Sequence, residues 1–189
     1  MSPDTIDRLA GITPGSALDT VRRLRSEART QAQASFDALF HPVDPSAMNL
    51  HERAAVALFV ARLHGDAATE ALYGELLGDA PLRASVLAEA AQAAGRGPYG
   101  HYPPGPLSRE DVPGPEWQAN PALGTRLAAA LAHAHMLVLH PRDASPPHLA
   151  ALVAAGWSAD GIVTLSQLVA FLSFQIRVAA GLRAMAAGA

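Results

Sequence analysis

Residues 155–182 read AGWSADGIVTLSQLVAFLSFQIRVAAGL. Gly156 is placed to end a short helix expected over 147–155. Ser158 offers a hydroxyl to cap the long helix that follows. That final helix is the most apolar of the chain and is interrupted by Arg177 and Arg183. A short helix, a Gly-Trp-Ser turn and a long apolar helix point to an all-α domain, and the rest of the chain agrees.

The 189 residues are 50% hydrophobic, 5% aromatic and 16% charged, which suits one domain with a substantial core. Ala is the commonest residue, with 41 copies; it is the best helix former and lets helices approach closely. A net charge of −3 argues against a nucleic-acid or anionic-membrane footprint. All 14 basic residues are Arg, which excludes a lysine Schiff base. The chain has no cysteine, so disulfides, thiolate metal sites and thiol nucleophiles are excluded. MSPDTIDRLAG carries no apolar run, so no secretory signal is expected. No window holds 18 apolar residues without charge, so no membrane span is expected. A bacterial cytoplasmic protein is the resulting expectation.

The spacing predicts a helix over 16–40, capped by Ser16 with Asp19 three residues on. Its stripe is Ala17, Val21, Leu24, Ala28, Ala32, Phe36 and Leu39, and Arg22, Arg25 and Arg29 form a solvated opposite face. Pro42 and Pro45 stop it. Asn49 caps a helix over 50–65 whose AAVALFVA centre is apolar all round, the mark of a buried helix. A third helix spans 66–77 with Leu72, Leu76 and Leu77 inward, and a fourth spans 81–94. Residues 95–121 hold seven of the 15 prolines and five of the 15 glycines and cannot continue a helix. With Tyr99, Tyr102 and Trp117, this stretch reads as a surface strap on its own or a neighbouring subunit, as a pocket lid, or as a disordered loop. Pro121 opens a helix that runs to about 140.

The Ala-Phe-x-x-Phe-x-x-Arg-x-x-x-Gly-Leu pattern falls on Ala170, Phe171, Phe174, Arg177, Gly181 and Leu182. It resembles the closing helix of the carboxymuconolactone decarboxylase and alkylhydroperoxidase D-like proteins, in particular their peroxidase-related branch. The resemblance covers about 50–182 and implies an alkylhydroperoxidase D-like helical domain over 49–189 behind an N-terminal helical extension, 1–48. It also implies a degenerate internal repeat (49–74 against 140–174) and a homo-oligomer. Antioxidant members of that family reduce peroxides through a Cys-x-x-Cys pair tuned by a Glu and a His. Laying Leu50, Arg53, Val60, Ala61 and Gly65 on the family frame puts the two Cys positions at Asp66 and Thr69, the His at Tyr73 and the Glu at Ala54. The dithiol mechanism, attack by a thiolate and resolution one helical turn away, is therefore absent. Asp66 also suits a plain helix cap with Thr69 and Glu70 in the first turn.

His64 stands two residues before the first lost Cys. It reads either as a satisfied interfacial histidine or, with Asp66 and Tyr73, as an acid–base group. Arg177 reads either as an ion pair or anchor at a subunit contact, with Glu52 or Asp66 as partner, or as a clamp for a substrate carboxylate. His133, His135 and His140 are too poorly phased on a helix to chelate one metal; His148 lies on another helix, and no zinc spacing is present. Neither a metal nor a cofactor is expected. Two functions follow. One is a cysteine-free, peroxidase-related protein that binds a small organic ligand or serves as a partner, for instance of a paralogous active subunit. The other is a cysteine-free acid–base enzyme acting on a small acid or lactone. The second requires His64, Asp66, Tyr73 and Arg177 to converge on one cavity.

Overall fold

A computed structural model describes residues 4–188. It contains nine α-helices among those residues: α1 Thr5–Ala10, α2 Ala17–Arg23, α3 Ser26–Phe40, α4 Leu50–His64, α5 Ala67–Leu77, α6 Ala80–Gln92, α7 Thr125–Leu139, α8 Pro146–Ala154 and α9 Ala159–Ala187. No strand is present among the described residues; a single antiparallel bridge joins Gly100 and Val112.

Helix α4 lies at the centre. Asn49 and Glu52 close a reciprocal capping box at its start (Glu52 N to Asn49 Oδ1, 2.9 Å; Asn49 N to Glu52 Oε2, 3.0 Å), satisfying two donors that a helix start leaves open. Gly65, at φ +68°, ends it. Every residue from Ala54 to Ala61 is buried, with α5, α6, α7 and α9 packed around it. Leu165, Leu168, Val169, Leu172 and Ile176 of α9 belong to the same core. By length and a mean hydropathy of 1.6, α9 is long and apolar enough to cross a membrane. One face of the helix is spent on packing against α4.

The Gly-Trp-Ser turn is held from both sides. Trp157 Nε1 donates to the Arg126 carbonyl (3.0 Å), and the Arg126 guanidinium lies 3.8 Å from the Trp157 ring centroid. The same guanidinium donates to Glu52 (2.6 Å) and to the Gly156 and Ala47 carbonyls (2.8 Å each), joining α7 to the starts of α4 and α9. At Gly161 a Cβ would stand 2.7 Å from the Ala47 carbonyl, so only glycine lets α9 approach there.

The expected helix over 16–40 is two helices, broken at Leu24–Arg25. Val21 and Leu24 are 40% and 78% exposed, whereas Arg22 is buried. The cause is acidic: Asp4, Asp7 and Asp19 are all placed inward and demand cations. Arg22 meets Asp7 (2.9 Å) and Asp4 (2.7 Å), and Arg29 meets Asp7 and Asp19. Of the three arginines assigned to a solvated face, only Arg25 is fully exposed. Leu76, expected inward, is exposed; Tyr73 is buried on the inward side of the same helix. Helix α7 starts at Thr125 rather than at Pro121, because Gly124 (φ +84°, ψ 142°) separates a single 3-10 turn over Pro121–Leu123 from it.

The N-terminal extension shares the main core through Leu9, Phe36, Leu39, Phe40 and Met48. Ile6, Ala10 and Ala32 form a smaller cluster with Leu182 of α9. Residues 95–121 form an ordered strap on their own chain. Tyr99 N donates to the Leu139 carbonyl (2.6 Å), Trp117 stacks on Phe59 (5.2 Å between centroids), and Asn120 N donates to Glu89 (3.1 Å). At Gly114 (φ +59°) a Cβ would come within 2.2 Å of Tyr99.

Arg53 is 4% exposed and donates to the Met48 and Leu39 carbonyls, 2.7 Å each. Arg53→Met strips both carbonyls of their donor. It should cost about 2–4 kcal/mol, read as a lower urea midpoint at unchanged slope.

Candidate functional site

Asp66, Thr69 and Tyr73, the positions that the resemblance marked out, are occupied by structural bonds. Asp66 caps α5, accepting from Thr69 N (3.0 Å) and the Thr69 hydroxyl (2.7 Å), and pairs with Arg183 of α9. Arg183 also donates to the Leu9 carbonyl (2.9 Å), so one guanidinium joins α1, α5 and α9. Burial alone would raise the Asp66 carboxyl, but the Thr69 hydroxyl and amide and the Arg183 charge hold it below its usual range. Thr69 is fully buried. Tyr73 donates to Gln175 Oε1 (2.6 Å), stacks on Phe40 (5.0 Å between centroids), and is pushed well above its usual phenol range by burial. Ala54, the remaining position singled out in the sequence, is core.

His64 and Arg177 meet elsewhere. They share a groove of about 650 Å³ between the end of α4, α9 and the first residues of the strap, with Arg96 and Ser173 on its rim and Leu137 and Val138 in its wall. His64 Nε2 lies 3.2 Å from Ser173 Oγ. Burial and then the Arg177 charge lower the His64 imidazole, against a smaller opposing pull from Asp66, so the ring is neutral at pH 7. Asp66, Thr69 and Tyr73 do not line this groove. The four-residue convergence that acid–base chemistry required does not form. Neither expected partner of Arg177 reaches it, because Glu52 is paired with Arg126 and Asp66 with Arg183.

A second cavity, of about 460 Å³, was not legible in the sequence. Beneath the strap, His101, His133, His135, His140 and His148, five of the eight histidines, surround one space. The H-x-H-x-x-x-x-H run put three of them on α7 and its C-terminal cap; the strap and α8 bring the other two. Three of the rings, those of His133, His140 and His148, are anchored by hydrogen bonds. His140 Nε2 donates to the Pro115 carbonyl (3.0 Å), with Nδ1 3.2 Å from Asp143. The His101 amide donates to Asp143 (3.1 Å), His148 Nδ1 lies 2.9 Å from Ser145 Oγ, and His133 Nε2 lies 3.1 Å from Ser166 Oγ. His135 packs between Trp117 and His140; burial and the His140 charge lower it, while a hydrogen bond to the Ala93 carbonyl opposes them. Among the described residues no three or more His, Asp or Glu side chains form a metal-holding group. The arrangement sets imidazoles, two of them (His133 and His135) held uncharged by burial, against an apolar wall.

No family model matches the sequence, and no curated protein matches it.

Burial, with a smaller contribution from His148, depresses His133 from 6.5 to about 4. Below pH 6.5 the unfolded imidazole takes a proton that the folded one refuses until about pH 4, so the unfolded state binds more protons across that window. Stability should therefore be full above pH 6.5 and fall as the pH drops toward 4, by on the order of 2 kcal/mol for this group. His64 and His135 act with the same sign. Urea unfolding at pH 7 and pH 4.5 should show a smaller loss for His133→Asn than for the wild type.

Proposed function

We propose that this chain is a cysteine-free relative of the carboxymuconolactone decarboxylase and alkylhydroperoxidase D-like proteins. In it the helical frame binds a small organic carboxylate, performs no thiol redox chemistry, and assembles into a homo-oligomer. The observation that carries this reading is the split between the two sets of residues. Asp66, Thr69 and Tyr73 are consumed in helix-to-helix bonds, whereas Arg177, with no carboxylate partner among the described residues, opens onto an apolar-walled groove beside His64. An Arg fork over apolar surface is suited to a carboxylate carrying a hydrocarbon body. Arg96 adds a second positive charge at the rim, and Ser173 a hydroxyl. The acid–base alternative retains one neutral imidazole and has neither the carboxylate nor the phenol it needs, so binding is favoured over turnover.

Assembly is supported by the outward faces of α8 and α9. Leu149 and Val153 are exposed four residues apart on α8, and Val163 and Phe174 are exposed eleven apart on α9, a spacing that returns to the same helix face. Exposed apolar stripes of this kind are typical of subunit contacts. A paralogous active subunit would use the same surface.

The purified chain should not reduce tert-butyl hydroperoxide above the buffer rate. Benzoate should raise its melting temperature and give a saturable calorimetric isotherm. Arg177→Gln should weaken benzoate by about tenfold or more, the scale of a charge-assisted hydrogen bond. Asp66→Asn should lower stability and leave benzoate affinity unchanged. No response to benzoate or short aliphatic acids at millimolar concentration would remove the basis for the binding reading.

Sedimentation should show a species heavier than the 19.6 kDa chain, and Phe174→Glu should shift it to the monomer. A wild type that sediments as a monomer at all accessible concentrations would contradict assembly.

A further inference from the structure

The histidine cavity beneath the strap plays no part in the carboxylate reading, and its chemistry is opposite. Its lining contains no arginine; its formally charged members are Glu116 and Asp143. Asp143 is engaged by His101 and His140. A carboxylate or phosphate entering here would meet two carboxylates and no arginine. The remaining wall is apolar, with Trp117, Met136 and Leu152, and the volume is that of an ordinary small-molecule pocket.

One atom in this lining is left without a partner. Ser166 Oγ donates its hydrogen to the Ile162 carbonyl (2.9 Å), so its hydroxyl oxygen accepts from His133 Nε2–H (3.1 Å). That fixes the tautomer. Because burial keeps the ring neutral, Nδ1 carries a bare lone pair. His133 is 6% exposed, and its Nδ1 is buried with no hydrogen-bond partner. A buried polar atom without a partner is rare in folded proteins and calls for an explanation. Nδ1 is closed to bulk water, so a donor reaches it only if a neighbouring side chain yields. His148 lines the same cavity, is exposed on α8, is held by one hydrogen bond to Ser145 and lies near enough for its charge to act on His133, so it is the side chain placed to yield.

We infer that this cavity is a second ligand site, taking an uncharged apolar molecule with one O–H donor, of phenol type, whose hydroxyl donates to His133 Nδ1 while its ring lies against Trp117 and Met136. The unpaired atom is an acceptor, so it selects a donor. The carboxylates and the absence of arginine select against anions, and the apolar wall selects a hydrocarbon body.

The test uses the full chain labelled with 15N-histidine, in the Arg177→Gln background so that the α4–α9 groove does not contribute. Phenol should raise the melting temperature and shift the His133 Nδ1 resonance as that nitrogen accepts a hydrogen bond. Anisole, of similar shape without the donor, should bind about tenfold more weakly, and benzoate should leave the His133 signal unmoved. His133→Phe keeps the apolar wall and removes the acceptor, so the preference of phenol over anisole should vanish. Ala151→Trp fills the cavity from an exposed position on α8, where folding is not at risk, and should abolish binding of both. The inference is overturned by equal affinity for phenol and anisole in the parent chain, by a His133 signal that stays fixed at saturating phenol, or by phenol binding that survives Ala151→Trp.

Discussion

The fold depends on the need to cover one helix on every side. From Ala54 to Ala61, α4 presents no polar side chain, and a helix apolar around its whole circumference is stable in water only when enclosed. Removing each of Val56, Leu58, Phe59 and Val60 from water is worth about 1.5–3 kcal/mol, and each is fully buried. The alanines between them let neighbouring backbones come close. This requirement places α5, α6, α7 and α9 around α4, and it explains why α9 is apolar enough to pass for a membrane span while its Leu165–Leu168–Leu172 face lies in the core.

Polar groups drawn into such a core must find partners, and most of those partners join helices distant in sequence. Arg53 collects one carbonyl from the last turn of α3 and one from the α3–α4 connection, Tyr73 reaches Gln175, Asp66 reaches Arg183, and Arg126 gathers Glu52, Ala47, Gly156 and Trp157. Leaving any of these unpaired would cost more than the bond contributes. Asp66, Thr69 and Tyr73 have been absorbed into this network. A carboxylate already committed to two donors from Thr69 and a guanidinium has little left to offer a substrate.

The two cavities on either side of α7 differ in electrostatics more than in size. One combines arginine with a neutral imidazole over apolar wall; the other combines imidazoles and carboxylates and contains no arginine. Their ligand preferences are opposed for that reason. Burial keeps His64 and His133 uncharged in both, so discrimination falls to the permanently charged arginines and to the single unpaired acceptor.

Local signals in the sequence determined most of the helices. Asn49 with Glu52, Asp66 with Thr69, and Ser158 are caps whose chemistry is complete within four residues, and the apolar centre of α4 declared its burial directly. The all-α class was likewise legible, and thiol chemistry was excluded because cysteine is absent at every position. Tertiary structure alone decided the rest. The break at Leu24–Arg25 follows from acids on α1 and α2 that draw Arg22 and Arg29 inward, a demand that an apolar stripe does not record. The fate of Arg177 depended on Glu52 and Asp66 finding other arginines first. The histidine cavity exists because the strap and α8 carry His101 and His148 to α7. Sequence spacing encodes neighbours along a helix; which side chains meet across helices is settled by how the enclosing layer packs.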